Sequence, residues 1–114
     1  MQPGDVLLAT LIMDSEDHAR RVAEVMVEER LAATAHVPEP HDAYRLEPGG
    51  GLAVYREWAV RLVTLAPLFD ALAERASHMP GIVMPGITAA PLTLRHPRFE
   101  HWLAEVTRAC RGQG

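Results

Sequence analysis

The residue types best suited to chemistry in this sequence form a mixed polar and aromatic set: Tyr44, Arg45, Glu57, Arg61, His78 and Trp102. Histidine and glutamate transfer protons near neutral pH, so His78 and Glu57 are the candidate catalytic residues. Arginine binds carboxylates through two hydrogen bonds, which makes Arg45 and Arg61 candidate substrate-binding residues. The two aromatic side chains would form walls of the same binding site. Two interpretations stay open: a ligand cleft between subunits, or an ion-pair network within an interface.

The six histidines show no metal-binding spacing. His36 and His41 are five residues apart, as are His96 and His101. Strand side chains alternate between faces and a helix turns by about 100° per residue, so neither pair shares a face. No pair has the His-x-x-x-His spacing of a helical zinc site. We therefore assign no metal ligands within one chain, while a site assembled between subunits stays open.

Composition excludes several function classes. All eleven basic residues are arginine, and without lysine the chain has neither a Schiff-base nucleophile nor a Walker-type phosphate loop. Neither serine lies in a Gly-x-Ser-x-Gly motif, and Cys110 lies on the apolar stripe of a predicted helix. The net charge is -4 and the sequence has no basic patch, so no nucleic-acid partner is expected.

Length and cysteine content indicate one domain in a reducing compartment. The chain has 114 residues, 48% of them hydrophobic, which suits a single folded domain over residues 1–114. One cysteine cannot form an intrachain disulfide. No export signal and no apolar run of roughly 18 residues is visible. We therefore expect a cytoplasmic protein that does not insert into membranes.

The elements that must position these residues alternate between strands and helices. Prolines interrupt the second predicted strand, which belongs at a sheet edge because proline cannot donate a ladder hydrogen bond. The predicted elements are a strand over Val6–Ile12, a helix from a cap at Asp14 or Ser15 to about Leu31, an edge strand over Ala33–Arg45, a long hairpin strand over Leu52–Thr64, a helix from Pro67, a strand over Thr88–Leu92 entered by a loop bent at Pro85 and Gly86, and a helix from Pro97.

This order predicts an α+β fold of the split βαβ type, a four-stranded antiparallel sheet with helices on one face. The other face of the long third strand carries the apolar residues Ala53, Tyr55, Ala59 and Val63. An apolar sheet face left in water is unfavourable. We therefore expect a homo-oligomer joined through its sheets.

Three segments together carry a family resemblance that extends over nearly the whole chain. These are Val-Glu-Glu-Arg-Leu-Ala-Ala at 27–33, the pair Tyr44-Arg45, and Pro-Arg-Phe-Glu-His-Trp-Leu at 97–103. The sequence resembles the CutA family of divalent-cation-tolerance proteins. The resemblance implies a ferredoxin-like subunit with a long hairpin and an extra C-terminal helix. It also implies a homotrimer whose hairpins extend sheets across subunits, and a role in divalent-cation tolerance or binding.

The sequence departs from the family at the usual metal-site motif. Counting from the matched segments, Met13 occupies the position of a cysteine. Pro80, Ile82 and Gly86 occupy the positions of a histidine, a tyrosine and a glutamate, while Pro85 is retained. A thioether is a soft ligand that suits copper(I) best. The sequence therefore establishes no cofactor, and we expect a divalent metal or copper to bind only weakly.

Three functions are consistent with these patterns. The first is a CutA-like homotrimer linked to divalent-cation tolerance, with its usual ligands replaced. The second is an enzyme that reuses the intersubunit cleft for acid-base chemistry on a small organic, anionic substrate. The third is a trimeric signalling or structural protein.

Overall fold

The computed structural model describes residues 5–93 and 95–107, so Cys110 lies outside the described residues. Strands and helices alternate as expected for an α+β protein. In chain order they are β1 (Val6–Met13), α1 (Glu16–Glu28), β2 (Thr34–His36), β3 (His41–Leu46), β4 (Leu52–Leu65), a 3-10 turn (Ala66–Leu68), α2 (Phe69–Ser77), β5 (Ile82–Leu92) and α3 (Pro97–Val106).

The 14-residue strand β4 organises the sheet. Its C-terminal part pairs with β1, and its other edge pairs with β2 and, nearer the hairpin turn, with β3. The strand order is β2-β4-β1-β5, with β3 beside β4, and every pairing is antiparallel. The predicted α+β class with an antiparallel split βαβ sheet is confirmed.

The predicted edge strand over 33–45 is divided into β2 and β3, so the described sheet has five strands rather than four. Residues 37–40, which include two prolines, lie between these strands outside the ladder. His36 pairs with Arg61 and His41 pairs with Glu57. One strand thus advances five residues while β4 advances four, the extra residue of a bulge.

The last strand begins earlier than predicted, at Ile82 rather than Thr88. Its pairing with β1 is irregular, because Leu11 lies opposite Ile87 while Met13 lies opposite Ile82. Gly86 lies in this interval with a φ of 84°, a left-handed conformation that favours glycine. The irregularity therefore coincides with the bend predicted at Pro85 and Gly86.

Helices α1 and α2 cover one face of the sheet and form the core with it. The buried cluster takes Val22 and Met26 from α1, Leu72 from α2, and Val60 and Leu62 from β4. The side chain of Ser15 accepts a hydrogen bond from the His18 amide, which confirms a cap at the predicted start of α1. Helix α1 ends at Glu28 rather than near Leu31, and Arg30 then adopts a φ of 61°. Within the described residues, no helix combines the length and hydropathy needed to span a membrane.

Candidate functional site

The two faces of the β3–β4 hairpin differ in polarity: one carries exposed apolar side chains and the other carries charged side chains. On one face Tyr44 lies opposite Val54 and Leu46 lies opposite Leu52. These four side chains are between 53% and 78% exposed. They lie on the same side of β4 as the core residues Val60 and Leu62, because strand side chains alternate. The hairpin thus carries the apolar face of the sheet beyond the region that the helices cover.

The opposite face of the hairpin is the one predicted to be the apolar oligomer surface. There Ala59 is already buried within one chain, and Tyr55 is surrounded by charged side chains. The alternation predicted along β4 is present in its register, and the joining of subunits through this face stays a prediction. The most exposed apolar side chains of the hairpin therefore lie on the other face, around Tyr44 and Leu46.

Glu57 and Arg45 form the centre of the charged face. Glu57 is only 3% exposed. Arg45 donates to both of its carboxylate oxygens, with Nη1–Oε1 at 3.1 Å and Nη2–Oε2 at 2.5 Å. These hydrogen bonds raise the pKa of Arg45, so the guanidinium stays protonated. Two-point pairing compensates a carboxylate that would be unfavourable to bury alone.

Tyr55 connects this ion pair to a second carboxylate. The Arg45 guanidinium carbon lies 4.4 Å from the centre of the Tyr55 ring. The Tyr55 hydroxyl donates to Glu47. That hydrogen bond is the main reason that the pKa of Tyr55 is raised, and burial acts in the same direction. Glu47, Tyr55, Arg45 and Glu57 therefore form one continuous network, which we call the hairpin network.

The other predicted site residues lie apart from the hairpin network within one subunit. Tyr44 projects from the opposite face of the hairpin. Arg61 is exposed on the helix-free face of the sheet. His78 caps the end of α2, with Nε2 2.9 Å from Oε1 of the exposed Glu74. Of the six candidates, the structure brings Arg45 and Glu57 into direct contact.

Trp102 lies at a different place, in a groove between the end of α1 and α3. The groove has a volume of about 400 Å³ and is lined by residues that include Val27, Arg30 and Trp102. Arg30 Nη1 lies 3.5 Å from the carbonyl oxygen of Val106. The segments 27–33 and 97–103, which carry much of the family resemblance, therefore meet at this groove.

The positions that the family resemblance assigned to a metal motif lie at the end of β1 and around the start of β5. Met13 pairs directly with Ile82 across β1 and β5, and its side chain is fully buried. Gly86 is buried without a side chain, and Pro80 is exposed without a donor group. One buried thioether does not fit a divalent cation that requires imidazole, carboxylate or water ligands. Across the described ranges, no three His, Cys, Asp or Glu side chains are grouped to hold a metal ion.

An Asp-His pair near this place was missed from the sequence. The Asp14 carboxylate Oδ1 lies 2.7 Å from His18 Nδ1. The imidazole packs against Gly81, where an added Cβ would lie 2.6 Å from the Cβ of His18. The separation of four residues along a helix start was the available signal, because such residues are neighbours on a helix surface.

A protein-family model described as CutA1 divalent ion tolerance protein matches residues 7–106. The chain belongs to the CutA family. The "Divalent-cation tolerance protein CutA" of Thermus thermophilus is 33% identical over 104 residues, covering 90% of this chain and 97% of that protein. The mouse "Protein CutA" is 26% identical over 113 residues, which cover 98% of this chain and 63% of the mouse protein. The resemblance stated from three segments is confirmed.

Solved CutA structures share the fold. The Thermus thermophilus structure has a TM-score of 0.80 at 28% identity, covering 90% of this chain and 98% of its own. The CutA1 structure from Oryza sativa has a TM-score of 0.83 at 20% identity, covering 93% of this chain and 96% of its own. At that lower identity the likeness concerns the fold alone.

Proposed function

We propose that this CutA protein acts in divalent-cation tolerance as a homotrimer assembled through its β3–β4 hairpin. The functional part of the proposal rests on membership of the CutA family and on the 33% identical relative named for divalent-cation tolerance. The observation that carries the assembly is the exposed apolar face around Tyr44, Leu46, Leu52 and Val54. Apolar surface concentrated in this way is typical of an interaction site.

A free strand edge supports the same assembly. Strand β1 pairs with β4 only from Trp58 to Leu65. Among the described residues, the stretch Leu52–Glu57 therefore pairs with β3 on one edge and with no strand on the other. An unpaired edge beside exposed apolar side chains is a place where another chain adds a strand. A second copy of this chain supplies that strand in our proposal, and closure of three copies gives the trimer.

Cation binding at the usual family position is weak in this proposal. Met13 contributes one thioether, while Pro80, Ile82 and Gly86 contribute no ligand atom from a side chain. Copper(I) accepts a thioether more readily than zinc or nickel does. Histidines of several subunits are the ligands that would make a tighter site in this proposal.

An enzyme in the intersubunit cleft is the second candidate function. A groove of about 640 Å³ beside Tyr44, Arg45 and Tyr55 gives a small organic molecule room. His78, Glu57 and Arg61 do not line this groove within one subunit, so other subunits would have to supply the residues that transfer protons and hold an anionic group. The Arg45–Glu57 ion pair would have to open for either residue to reach a substrate. A signalling or structural trimer without a small ligand is the third candidate.

The proposed compartment is the cytoplasm, because a single cysteine suits a reducing environment. One structural relative, from Archaeoglobus fulgidus, carries the description periplasmic. Fractionation of the native host cells tests the compartment directly. Recovery of the chain with periplasmic marker proteins would contradict this part of the proposal.

Two measurements on the full chain test the function. Light scattering coupled to size exclusion should give three times the subunit mass, and a monomer at micromolar concentration would contradict the assembly. Calorimetry with copper(I), zinc and nickel should show binding only for copper(I), and weakly. Tight stoichiometric zinc or nickel binding would show instead that histidines converge between subunits. A thermal-shift screen of metabolites tests the enzyme candidate against the other two, because only an enzyme of this kind requires a specific organic ligand that stabilises the protein.

A further inference from the structure

Four polar side chains form a single row across the helix-free face of the sheet. Arg61 lies directly opposite Thr10 of β1 and, on its other side, opposite His36 of β2. Thr10 in turn lies directly opposite Thr88 of β5. Residues directly opposite one another on neighbouring strands project from the same face of a sheet. We call His36, Arg61, Thr10 and Thr88 the cross-sheet row.

The cross-sheet row is polar in largely apolar surroundings. On one side, Val63 pairs with Leu8 and Leu8 pairs with Ala90. On the other side, Ala59 pairs with Ile12. Thr34 of β2 pairs with Val63 and is the polar exception in these neighbouring rows. The other side chains beside the cross-sheet row are apolar.

The charge of Arg61 has no counterion among the residues that the structure describes. The side chain is exposed, and no ion pair or hydrogen bond joins it to another described residue. Strands β1, β2 and β5 contain no acidic residue. The single acid of β4, Glu57, lies about 13 Å along the strand and is bound by Arg45. A cation is therefore presented on this face beside two hydroxyl groups and an imidazole.

We propose that the cross-sheet row binds an oxyanion, the phosphate or carboxylate group of a small molecule. The Arg61 guanidinium provides the charge and a two-point contact, since its N–H groups match the geometry of both oxyanions. The hydroxyls of Thr10 and Thr88 donate further hydrogen bonds from the adjacent strands. At about 4.8 Å between strands the row spans about 14 Å, which is room for a molecule with two anionic groups.

This inference goes beyond the proposed role in cation tolerance and does not depend on it. It also changes which residues are expected beside Arg61. The sequence grouped this residue with Tyr44 and Trp102, whereas the sheet register places it beside His36 and Thr10. The predicted anion-binding role of Arg61 is kept, and its site moves from a cleft to the sheet face.

The test uses the full chain and three sodium salts at equal ionic strength: phosphate, succinate and chloride. Phosphate or succinate should raise the melting temperature above that in chloride by more in the wild type than in Arg61→Met, because exclusion of a salt from the protein surface stabilises both chains alike. The salt with the larger difference identifies the oxyanion class. His36 provides a second readout, because an anion on the row should shift its imidazole proton resonances. Arg61→Met, which keeps an apolar stem, should weaken binding at least about tenfold. Arg98→Met removes an exposed arginine of α3, outside both the row and the hairpin, and should bind like the wild type.

A second variant tests oxyanion binding if Arg61→Met changes the mass of the assembly. Thr10→Val removes one hydroxyl while retaining the charge, and it should weaken oxyanion binding about three- to tenfold with the mass unchanged. Equal melting temperatures in the three salts would overturn the proposal. Unchanged affinity in Arg61→Met or in Thr10→Val would overturn it too. Cation binding and assembly mass are measured separately. A result against oxyanion binding at the cross-sheet row is therefore distinguishable from a result against the proposed function.

Discussion

The carboxylate of Glu57, almost completely buried, is bound at two points by the guanidinium of Arg45 across the hairpin. The same guanidinium covers the ring of Tyr55. Breaking a buried ion pair from one side is costly because the remaining charge loses its partner. Loss of either partner should therefore destabilise the hairpin of the single chain.

Removing the guanidinium should destabilise the protein more than removing another arginine from the same hairpin. Arg45→Met leaves the Glu57 carboxylate buried without its partner, whereas Arg56→Met removes an exposed side chain. We expect a lower urea midpoint for Arg45→Met and a midpoint close to wild type for Arg56→Met. Glu57→Gln in the Arg45→Met background should recover part of the loss, because it removes the stranded charge. Equal midpoints for the two arginine variants would contradict a stabilising role for the pair.

Tyr55 should ionise at higher pH than an ordinary tyrosine, because its hydroxyl donates to Glu47. In a Tyr44→Phe background Tyr55 is the only tyrosine, so its phenolate absorbance can be followed alone. Glu47→Gln should move the pKa of Tyr55 back toward its usual range.

The sign of the stability effect follows from the raised pKa of Tyr55. The folded state holds the phenol proton more tightly than the unfolded chain does. The stabilisation is therefore fully present below the unfolded-state pKa and is lost as the pH rises through the folded-state pKa. Urea titrations at increasing alkaline pH should show a smaller decline in Glu47→Gln than in wild type. An identical decline in the two chains would show that Glu47 does not cause the loss of stability at alkaline pH.

Gly81 should tolerate a side chain less well than another glycine with a similar backbone conformation. Its φ is 103°, and an added Cβ would lie 2.6 Å from the Cβ of His18. Gly50 has a φ of 93° with nothing within 4 Å of an added Cβ. Gly50→Ala therefore measures left-handed strain alone, about 1 kcal/mol of unfolding free energy. Gly81→Ala should cost about 1–3 kcal/mol more, because the α1 start must move. Chemical denaturation of the two variants gives the comparison.

A charge on the apolar face of the hairpin should disrupt the proposed assembly. Leu46 is 78% exposed in a single chain, so Leu46→Arg leaves the isolated subunit almost unchanged but buries an unpaired charge in an interface. We expect its light-scattering mass to fall below that of the wild type. Ala71→Arg adds the same charge at an exposed position of α2 and should keep the wild-type mass. If both variants keep that mass, the hairpin is not the interface.

Local patterns in the sequence determined the elements and the fold class. The cap at Ser15, the proline that opens α3 and the alternation along β4 act over a few residues, so they can be recognised without the rest of the fold. The order of these elements then predicts the antiparallel sheet. The family resemblance can likewise be recognised from short segments, such as residues 27–33.

Tertiary structure alone decided which side chains meet. Arg45 reaches Glu57, and Arg61 lies between His36 and Thr10, because each strand adopts one register against its neighbour. A shift of one residue would turn every side chain of a strand to the other face, and the bulge between β2 and β3 introduces such a shift. Register is set by the packing of the whole core, a sum over many distant contacts that no short segment contains.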